Sequence, residues 1–437
     1  MASPAVSVSA YWRLLRSNRN YRRLWLAQIV SEMGDWLYVV AIYSLLLRLT
    51  GTARSIAIAV VLQVLPQFFV APAAGIVNDR ASRRRVMIAA DLARAVIVVA
   101  MLVAARTGIV GLIYVLLFLE TVMWAFFEPG RSAVVPNIAS PGELVAANAL
   151  SSMTWSLTLA LGAGLGGLVA AFFGRNTVFV LNSLSFVASA LLVGGMKFDE
   201  PHLKGLTPLR ARDLVDFSPL AEGVRYVAGD RRLVLLLLVK AGLGVFATHW
   251  VILPIFGERV FPVRLAGLDP RRGAMLGMSA LLSSRGIGAL LGPFCGGLWS
   301  GQNRSRMRLG ILFGFLAGAV GFAGLAAAPS LGLAVLAVIV AHSGNSLGWV
   351  YSTTLLQFHT EDRFRGRVFS ADFAFLVVSM SIASFLAGQF VDAGVPVRTV
   401  ALWTGLVALL PAAAWGFGMR LWSRDGPAGV APKSTQA

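Results

Sequence analysis

The chain has 437 residues, of which 57% are hydrophobic and 13% are charged, and its formal net charge is +18. Soluble proteins carry about 25% charged residues, so this composition excludes a soluble globular domain and indicates a polytopic membrane protein. The single cysteine, Cys295, excludes an intrachain disulfide and a cysteine-based metal site.

The chain begins with a basic segment, MASPAVSVSAYWRLLRSNRNYRR, at 1–23. A removable signal peptide needs an apolar core of about 7 to 15 residues and a small-residue cleavage site, and this segment has neither. We therefore expect it to remain as a cytoplasmic N-terminal segment.

Apolar runs then recur along the chain, each close to the roughly 20 residues that a helix needs to cross a hydrocarbon core. Because the runs are continuous rather than alternating, they favour helices over β-barrel strands. The first six runs are 24–47, 55–77, 86–105, 109–127, 144–173 and 177–196. The last six are 233–257, 273–300, 309–328, 331–356, 368–391 and 397–419.

The longest gap divides these runs into six and six. It is polar and contains FSPLAEGVRYVAGDRRL, whose apolar spacing predicts a short amphipathic surface helix. The sequence thus predicts an all-α integral membrane protein, with twelve transmembrane helices as two pseudo-symmetric six-helix bundles. The predicted domains are a cytoplasmic N-terminal segment (1–23), an N-terminal bundle (24–196), a cytoplasmic linker with the amphipathic helix (197–232), a C-terminal bundle (233–422) and a cytoplasmic tail (423–437).

Two weak repeats also suggest duplicated halves. The second run ends APAAGIVNDR and the eighth ends GPFCGGLWSGQNR, and each joins a proline and small residues to a basic end. A Gly-Arg pair, Gly130 and Arg131, follows the fourth run, and another, Gly366 and Arg367, precedes the eleventh. Since these features occupy equivalent places in both halves, an internal duplication is predicted.

The basic residues are distributed unequally between the two sides of the predicted bundle. Of the 38 lysines and arginines, 26 fall on the side of the N-terminus, 9 on the other side, including Arg398 at the start of the last run, and 3 inside the membrane. Basic residues are retained on the cytoplasmic side, so we expect both termini to be cytoplasmic. This asymmetry accounts for the net charge, and no nucleic-acid partner is predicted.

The loop between the second and third runs reads GIVNDRASRRR. It resembles the signature of the major facilitator superfamily in this loop: Gly, three residues, Asp, a basic residue, any residue, Gly and two basic residues. The matching residues are Gly75, Asp79, Arg80, Arg83 and Arg84, and Ser82 replaces the second glycine. More narrowly, GDWL in the first run, DLARA after the loop and FRGRVFS before the eleventh run are similar to the efflux branch that includes macrolide and siderophore exporters.

The resemblance implies alternating access, in which two bundles rock about a central site in the bacterial cytoplasmic (inner) membrane. It also implies that Asp79 and its basic neighbours latch the halves on the cytoplasmic side when the protein is open outward. Asp79 would face the start of the eleventh helix, where unpaired backbone N–H groups favour an anion. We expect Arg83 to extend the latch to Glu128. The complete predicted gate is Gly75, Asp79, Arg80, Arg83, Arg84, Glu128, Arg131 and Arg367.

Ionisable residues within the runs are functional candidates, because a charge in the bilayer is unfavourable by several kcal/mol. Glu32 and Asp35 lie three residues apart on the first helix, near its middle, and hence on one face. Two adjacent carboxylates in a medium of low dielectric favour the uptake and release of a proton, as an antiporter requires. The alternative is that either one pairs permanently with an arginine and only holds the bundle together.

Glu120 in the fourth run and Arg285 in the eighth approach the midplane from opposite halves. An ion pair between them would break when the bundles rock. For Glu120 the alternative is a static ion pair. Arg285 could bind either an anionic group of the substrate or a structural partner. We expect Lys240 to extend its side chain to water. Asp91 and Arg94 are expected to form a local ion pair outside the pathway.

Other motifs do not support an enzyme or a cofactor. GAGLGG at 162–167 matches a dinucleotide pattern without the preceding strand or the following acid, so close helix packing is the better interpretation. In the resembling family this helix carries an antiporter motif with Gly-Pro, and here an alanine follows the first glycine. His249 and His342 are expected to be hydrogen-bonded core residues. The chain has no phosphate loop or HExxH motif, and no serine elbow at a strand-to-helix turn supports an enzyme.

We therefore predict a proton-coupled secondary exporter of a hydrophobic or amphipathic small molecule of the drug, macrolide or siderophore type, acting as a monomer in the lipid bilayer. The predicted pathway for protons or substrate comprises Glu32, Asp35, Glu120 and Arg285. One alternative is an uptake transporter or lipid flippase for an anionic cargo, which Arg285 and Lys240 would suit. A non-transporting membrane sensor or scaffold is disfavoured, because intramembrane charges are unfavourable without a pathway.

Overall fold

The computed structural model describes residues 8–203, 218–264, 266–301 and 303–420, which form helices joined by short connections, with no strand among them. Twelve helical segments are long and apolar enough to span a bilayer, which confirms the predicted fold class. Residues 1–7 of the predicted N-terminal segment, 204–217 of the linker and the predicted tail at 423–437 lie outside the described residues.

The first half consists of one short helix and six spans, and each predicted run falls on one span. The helices are longer than the runs because backbone hydrogen bonding continues where the side chains turn polar. Their bounds are α1 (Val8–Ser17), α2 (Arg19–Thr50), α3 (Ala53–Arg80), α4 (Arg83–Thr107), α5 (Val110–Ile138), α6 (Leu144–Phe173) and α7 (Arg175–Gly194).

The second half begins after a linker whose described part contains a 3-10 turn (Pro201–Leu203) and α8 (Ser218–Ala228), at the place of the predicted amphipathic helix. Its first span is irregular. Helix α9 (Arg231–Gly244) passes through a 3-10 turn (Val245–Thr248) into α10 (His249–Ile255) and then a π turn (Phe256–Val260). The remaining spans are α11 (Pro270–Ser300), α12 (Arg304–Ala327), α13 (Leu331–His359), α14 (Asp362–Asp392) and α15 (Val397–Gly418).

The spans run alternately between two faces of the bundle. The termini face is where α2 begins and α15 ends, and the far face is where α2 ends and α3 begins. Tight turns at the far face use Gly51 (φ 69°) and Gly108 (φ 71°), whose left-handed conformation favours glycine. At the termini face, Asn18 caps α2 by accepting a hydrogen bond of 2.9 Å from the amide of Tyr21.

Small residues allow α6 to pack closely on two neighbours at once. Two glycines of GAGLGG face α2 of the same half, and two face α11 of the other half; a side chain at any of the four would overlap the neighbouring helix. The first pair is Gly162 and Gly166, and the second is Gly164 and Gly167. From α11, Ser279 Oγ donates to the carbonyl of Ala163 at 2.8 Å. The predicted packing role of this motif is confirmed.

The two halves are also joined at the far face. The Asp392 carboxylate at the end of α14 accepts hydrogen bonds from the amides of Ala53 (2.6 Å) and Arg54 (2.9 Å) at the start of α3. Arg259 donates across the same face to the carbonyl of Gly51 at 3.0 Å. Gly388 of α14 packs directly against α3. These contacts close the far face between the halves.

Candidate functional site

The densest group of charges in the first half surrounds Arg94 of α4. Its Nη2 lies 2.7 and 2.8 Å from the two oxygens of Asp35 on α2, and 2.8 Å from Oε1 of Glu120 on α5. Asp91, one turn earlier on α4, lies 3.7 Å from Nη1. The ring of Phe186 covers the guanidinium, with its centroid 3.9 Å from Cζ. The side chains of Arg94 and Asp91 are 2% and 0% exposed, whereas that of Asp35 is 27% exposed.

Two predicted site residues, Asp35 and Glu120, therefore converge on one cation. The predicted ion pair of Asp91 and Arg94 is confirmed, but it is the longest of the three contacts, because Arg94 also binds Asp35 and Glu120. Helix α4 begins at Arg83, before the predicted run, so Arg94 lies about 16 Å along the helix and not near its end. The depth of Arg94 in the membrane is the feature of the sequence that could have identified it as a site residue.

Glu32 belongs to a separate hydrogen-bond network. Its Oε1 accepts from Gln28 Nε2 at 2.8 Å, and its Oε2 accepts from Thr158 Oγ1 of α6 at 2.9 Å. Gln28 Oε1 in turn accepts from Arg131 Nη1 of α5 at 3.1 Å, and Arg131 Nε donates to Glu128 at 2.9 Å. The network leads from the middle of α2 toward the termini face.

Glu32 and Asp35, which were predicted to act as adjacent carboxylates, bind different partners in this structure. Residues three apart on a helix still differ by about 60° in direction, and here one points to α6 and the other to α4 and α5. Each carboxylate thus has its own polar partners.

Lys240 of α9 is buried in the second half, with 2% of its side chain exposed. Its Nζ donates to Thr353 Oγ1 of α13 at 2.8 Å and lies 3.7 Å from Oδ2 of Asp372 on α14. It also lies 3.7 Å from the centroid of the Trp349 ring. The prediction that Lys240 extends to water is wrong, because α13 and α14 supply a carboxylate, a hydroxyl and an aromatic face.

Arg285, near the middle of α11, ends a column of aromatic rings that crosses between the halves. Its Cζ lies 3.6 Å from the ring centroid of Trp250 on α10. Trp250 stacks on Trp36 of α2 at 6.0 Å, and Trp36 meets Trp155 of α6 edge to face at 5.9 Å. A desolvated contact between a cation and an aromatic face contributes about 2 kcal/mol. Within the part of the chain that the structure describes, Arg285 has no ion pair, and its Nε is buried without a partner.

The cross-bundle pair of Glu120 and Arg285 is not formed in this structure, where Glu120 instead makes an ion pair with Arg94, as the alternative expected. What crosses between the halves at this depth is the stacking of Trp36 on Trp250. Trp250 was not among the predicted site residues, because the irregular backbone that presents it leaves no periodic signal in the sequence.

Two histidines lie beside this column. The rings of His249 on α10 and His342 on α13 meet edge to face at 4.5 Å. His249 Nδ1 contacts the carbonyl of Phe246 at 2.5 Å, whereas Nε2 of both rings is buried without a partner. Gly288, one turn after Arg285, packs against His342, and a Cβ there would lie 2.9 Å from that of the histidine. The expected hydrogen-bonded core role therefore holds for only one nitrogen of His249.

The loop motif lies at the termini face. Asp79 has 74% of its side chain exposed and lies 3.4 Å from Nη2 of Arg83, one turn later. Arg83 Nη1 also donates to the carbonyl of Ala133 at 3.0 Å. The expected contact between Arg83 and Glu128 is not formed in this structure, in which Arg131, one turn along α5, binds Glu128.

Ser82 explains how the loop tolerates the missing glycine. Its φ of −63° suits any residue, and its Oγ accepts from the amide of Arg85 at 3.3 Å to cap α4. The same hydroxyl donates to Glu200 of the linker at 2.6 Å. Arg84 Nη1 donates to the carbonyl of Met196 at 2.7 Å, so the motif is anchored to the beginning of the linker.

The other predicted gate residues lie apart from one another. Arg80 is the last residue of α3. Gly75 lies earlier in the same helix, in open space, since a Cβ there would meet nothing within 4 Å. Arg367, near the start of α14, pairs through Nη1 with Glu222 of α8 at 2.7 Å. Helix α8 thus holds the start of α14, whereas Arg131 belongs to the Glu32 network.

The family model described as transmembrane secretion effector matches residues 10–433. The chain belongs to this family of major facilitator superfamily transporters. The uncharacterized MFS-type transporter YkuC of Bacillus subtilis (strain 168) is 26% identical over 339 residues, which cover 75% of this chain and 77% of that protein. Macrolide efflux protein A of Streptococcus pyogenes is 26% identical over 389 residues, covering 87% of this chain and 90% of its own. The crystal structure of the nucleoside transporter NupG matches with a TM-score of 0.68 at 15% identity, covering 92% of this chain and 99% of that one.

This major facilitator transporter is therefore a multi-pass membrane protein that acts on a small molecule, and it is not an enzyme. The family indicated by the loop motif is confirmed. Near the middle of the membrane, its first half carries the Arg94 and Glu32 groups and its second half carries Arg285.

Proposed function

We propose that this transporter exports a hydrophobic or amphipathic small molecule from the bacterial cytoplasm in exchange for protons. The observation that carries the proposal is the group of three carboxylates around the single guanidinium of Arg94. Efflux is supported by the 26% identity with macrolide efflux protein A over most of both chains.

The charge balance of the Arg94 group favours proton binding. Full ionisation of Asp35, Asp91 and Glu120 beside one arginine leaves two uncompensated negative charges, and an excess of this kind inside a bilayer is unfavourable by several kcal/mol. We infer that the group holds a proton in one state of the cycle. Asp35 is its most exposed carboxylate, which makes it the point of proton exchange.

A proton on Asp35 has a direct route to conformational change. It weakens the contact between α2 and Arg94, and the next residue on α2, Trp36, stacks on Trp250 of the other half. Movement of α2 therefore alters the contact between the halves. Because rocking the bundles exchanges which face is open, protonation and access are coupled through neighbouring residues.

The gate is proposed to work at the termini face. Basic residues concentrate there, so we place this face in the cytoplasm. With the far face closed by Asp392, the exposed carboxylate of Asp79 is in the released state of the latch. The latch would form against the start of α14 when the cytoplasmic face closes.

Proton coupling is tested in inside-out vesicles with an acidic interior, with radiolabelled erythromycin as a macrolide probe and 2-naphthoate as an acidic aromatic probe. We expect at least one probe to accumulate until nigericin collapses the gradient. Asp35→Asn and Glu32→Gln should each lose this driven accumulation, while Asp35→Asn retains exchange of labelled for unlabelled probe without a gradient.

The matched control is Glu143→Gln, which neutralises a carboxylate that accepts hydrogen bonds from Ser140 in a connection at the termini face. It should accumulate the probe as the wild type does. Full driven accumulation in both Asp35→Asn and Glu32→Gln would contradict the coupling proposal, and accumulation insensitive to nigericin would contradict antiport.

A further inference from the structure

We propose that Arg285 receives the acidic group of a planar, apolar cargo between the two halves. The inference rests on the proposed carriage of an amphipathic small molecule and adds the charge of that molecule. Its starting point is a contrast among buried cations. Arg94 and Lys240 each contact a carboxylate, whereas Arg285 has neither an ion pair nor a hydrogen bond within the described residues.

Several polar atoms around Arg285 lack partners at the same place. Arg285 Nε and Trp250 Nε1 are buried N–H donors with none, and Nε2 of both His249 and His342 is buried and unpartnered. Buried N–H donors are rarely left unsatisfied in proteins, so the two donors of Arg285 and Trp250 favour a group that accepts hydrogen bonds. Because two of the atoms are N–H donors and one belongs to a cation, an anionic acceptor fits them.

The neighbouring acids do not serve as the missing partner. Asp35 and Glu120 are bound to Arg94, and Asp372 lies beside Lys240. A cationic cargo group would therefore meet Arg285 with no free carboxylate beside it, and repulsion would exclude it. A carboxylate or sulfonate would neutralise the site and form charge-assisted hydrogen bonds.

The aromatic column defines the rest of the ligand. The Trp250 and Trp36 rings are nearly parallel, with 6° between their planes, and the Trp155 side of the column reaches an exposed surface, with Trp155 46% exposed. A planar apolar ring can pack against the exposed Trp155 side of this column with little loss of conformational entropy. A cation at one end of the column and aromatic rings along the rest of it together suit an aromatic acid.

The test is equilibrium binding to the purified full-length transporter, without any gradient. Three probes share one ring system: 2-naphthoate (anionic), 2-naphthamide (neutral) and 2-naphthylmethylamine (cationic). We expect 2-naphthoate to bind at least about tenfold more tightly than either of the others, as a charge-assisted hydrogen bond would give. Arg285→Gln should remove this preference, so that 2-naphthoate binds no more tightly than 2-naphthamide.

Arg285→Lys keeps the charge and should keep most of the preference, which also guards against misfolding of the glutamine variant. The control Arg225→Gln removes an exposed arginine of α8 and should bind as the wild type does. Equal binding of the three probes by the wild type, or a preference that survives in Arg285→Gln, overturns the inference. Neither result depends on proton coupling, which the Asp35→Asn transport assay tests separately.

Discussion

Gly388 of α14 provides a direct test of the far-face closure. Its position lies against α3, and the Cβ introduced by Gly388→Ala would lie 2.6 Å from Cβ of Ala57 and 3.1 Å from Cα of Arg54. Ordinary van der Waals contact of a Cβ begins at 3.4 Å, so α3 and α14 would have to separate by about 0.8 Å. Both opposing atoms are fixed by helical backbone, and no side-chain rotation relieves the overlap.

The expected effect is a shift between conformations. Overpacking of this kind in a close-packed interior is unfavourable by about 1 to 3 kcal/mol. The strain exists only while α3 and α14 touch at the far face, whereas the gain in helix propensity from alanine is present in every state and cancels. Gly388→Ala should therefore favour the state with an open far face by roughly 5- to 150-fold.

Spin-label distance measurements can follow this shift. Labels at Thr107 in the first half and Ala327 in the second, both exposed at the far face, would be introduced with Cys295→Ser to remove the native thiol. We expect Gly388→Ala to add a longer-distance population that the parent lacks. Gly416→Ala is the matched control, since a Cβ at that helical glycine meets nothing within 4 Å.

An unchanged distance distribution in Gly388→Ala would refute the reasoning that the α3 and α14 contact determines closure of the far face. The same holds if Gly416→Ala produces the same shift, because the effect would then follow from any added methyl group.

Two further predictions concern the gate and the buried lysine. Asp79→Asn should slow turnover in the vesicle assay without weakening probe binding, because Asp79 is exposed and has no contact with the midplane groups; unchanged turnover would count against the latch. Lys240→Met should lower the stability of the detergent-solubilised protein by about 3 kcal/mol or more, seen as a lower midpoint of thermal unfolding, because it leaves the carboxylate of Asp372 buried without its cation. The double variant Lys240→Met with Asp372→Leu should recover much of this loss, and equal midpoints for the wild type and Lys240→Met would show that the pair does not stabilise the fold.

Part of the candidate site was predictable, because burying a charge in a bilayer is unfavourable wherever the charge lies. Asp35, Glu120 and Arg285 follow from that rule alone. Their partners do not, since Arg94 and Trp250 reach them from other helices, and a sequence carries no direct record of which helices are neighbours. The Glu120 and Arg285 pair is absent from this structure for this reason.

The sequence by itself determined the number of spans, the division into six and six, and the family, because apolar length and the loop motif are local properties of the chain. It also determined that GAGLGG packs helices, since small residues permit close approach in any arrangement. Only the tertiary structure decided that Arg94 gathers three carboxylates, that Ser82 caps α4, and that Arg285 has no counter-ion among the described residues. Each depends on distances of about 3 Å between helices, and such distances exist only once the halves have packed.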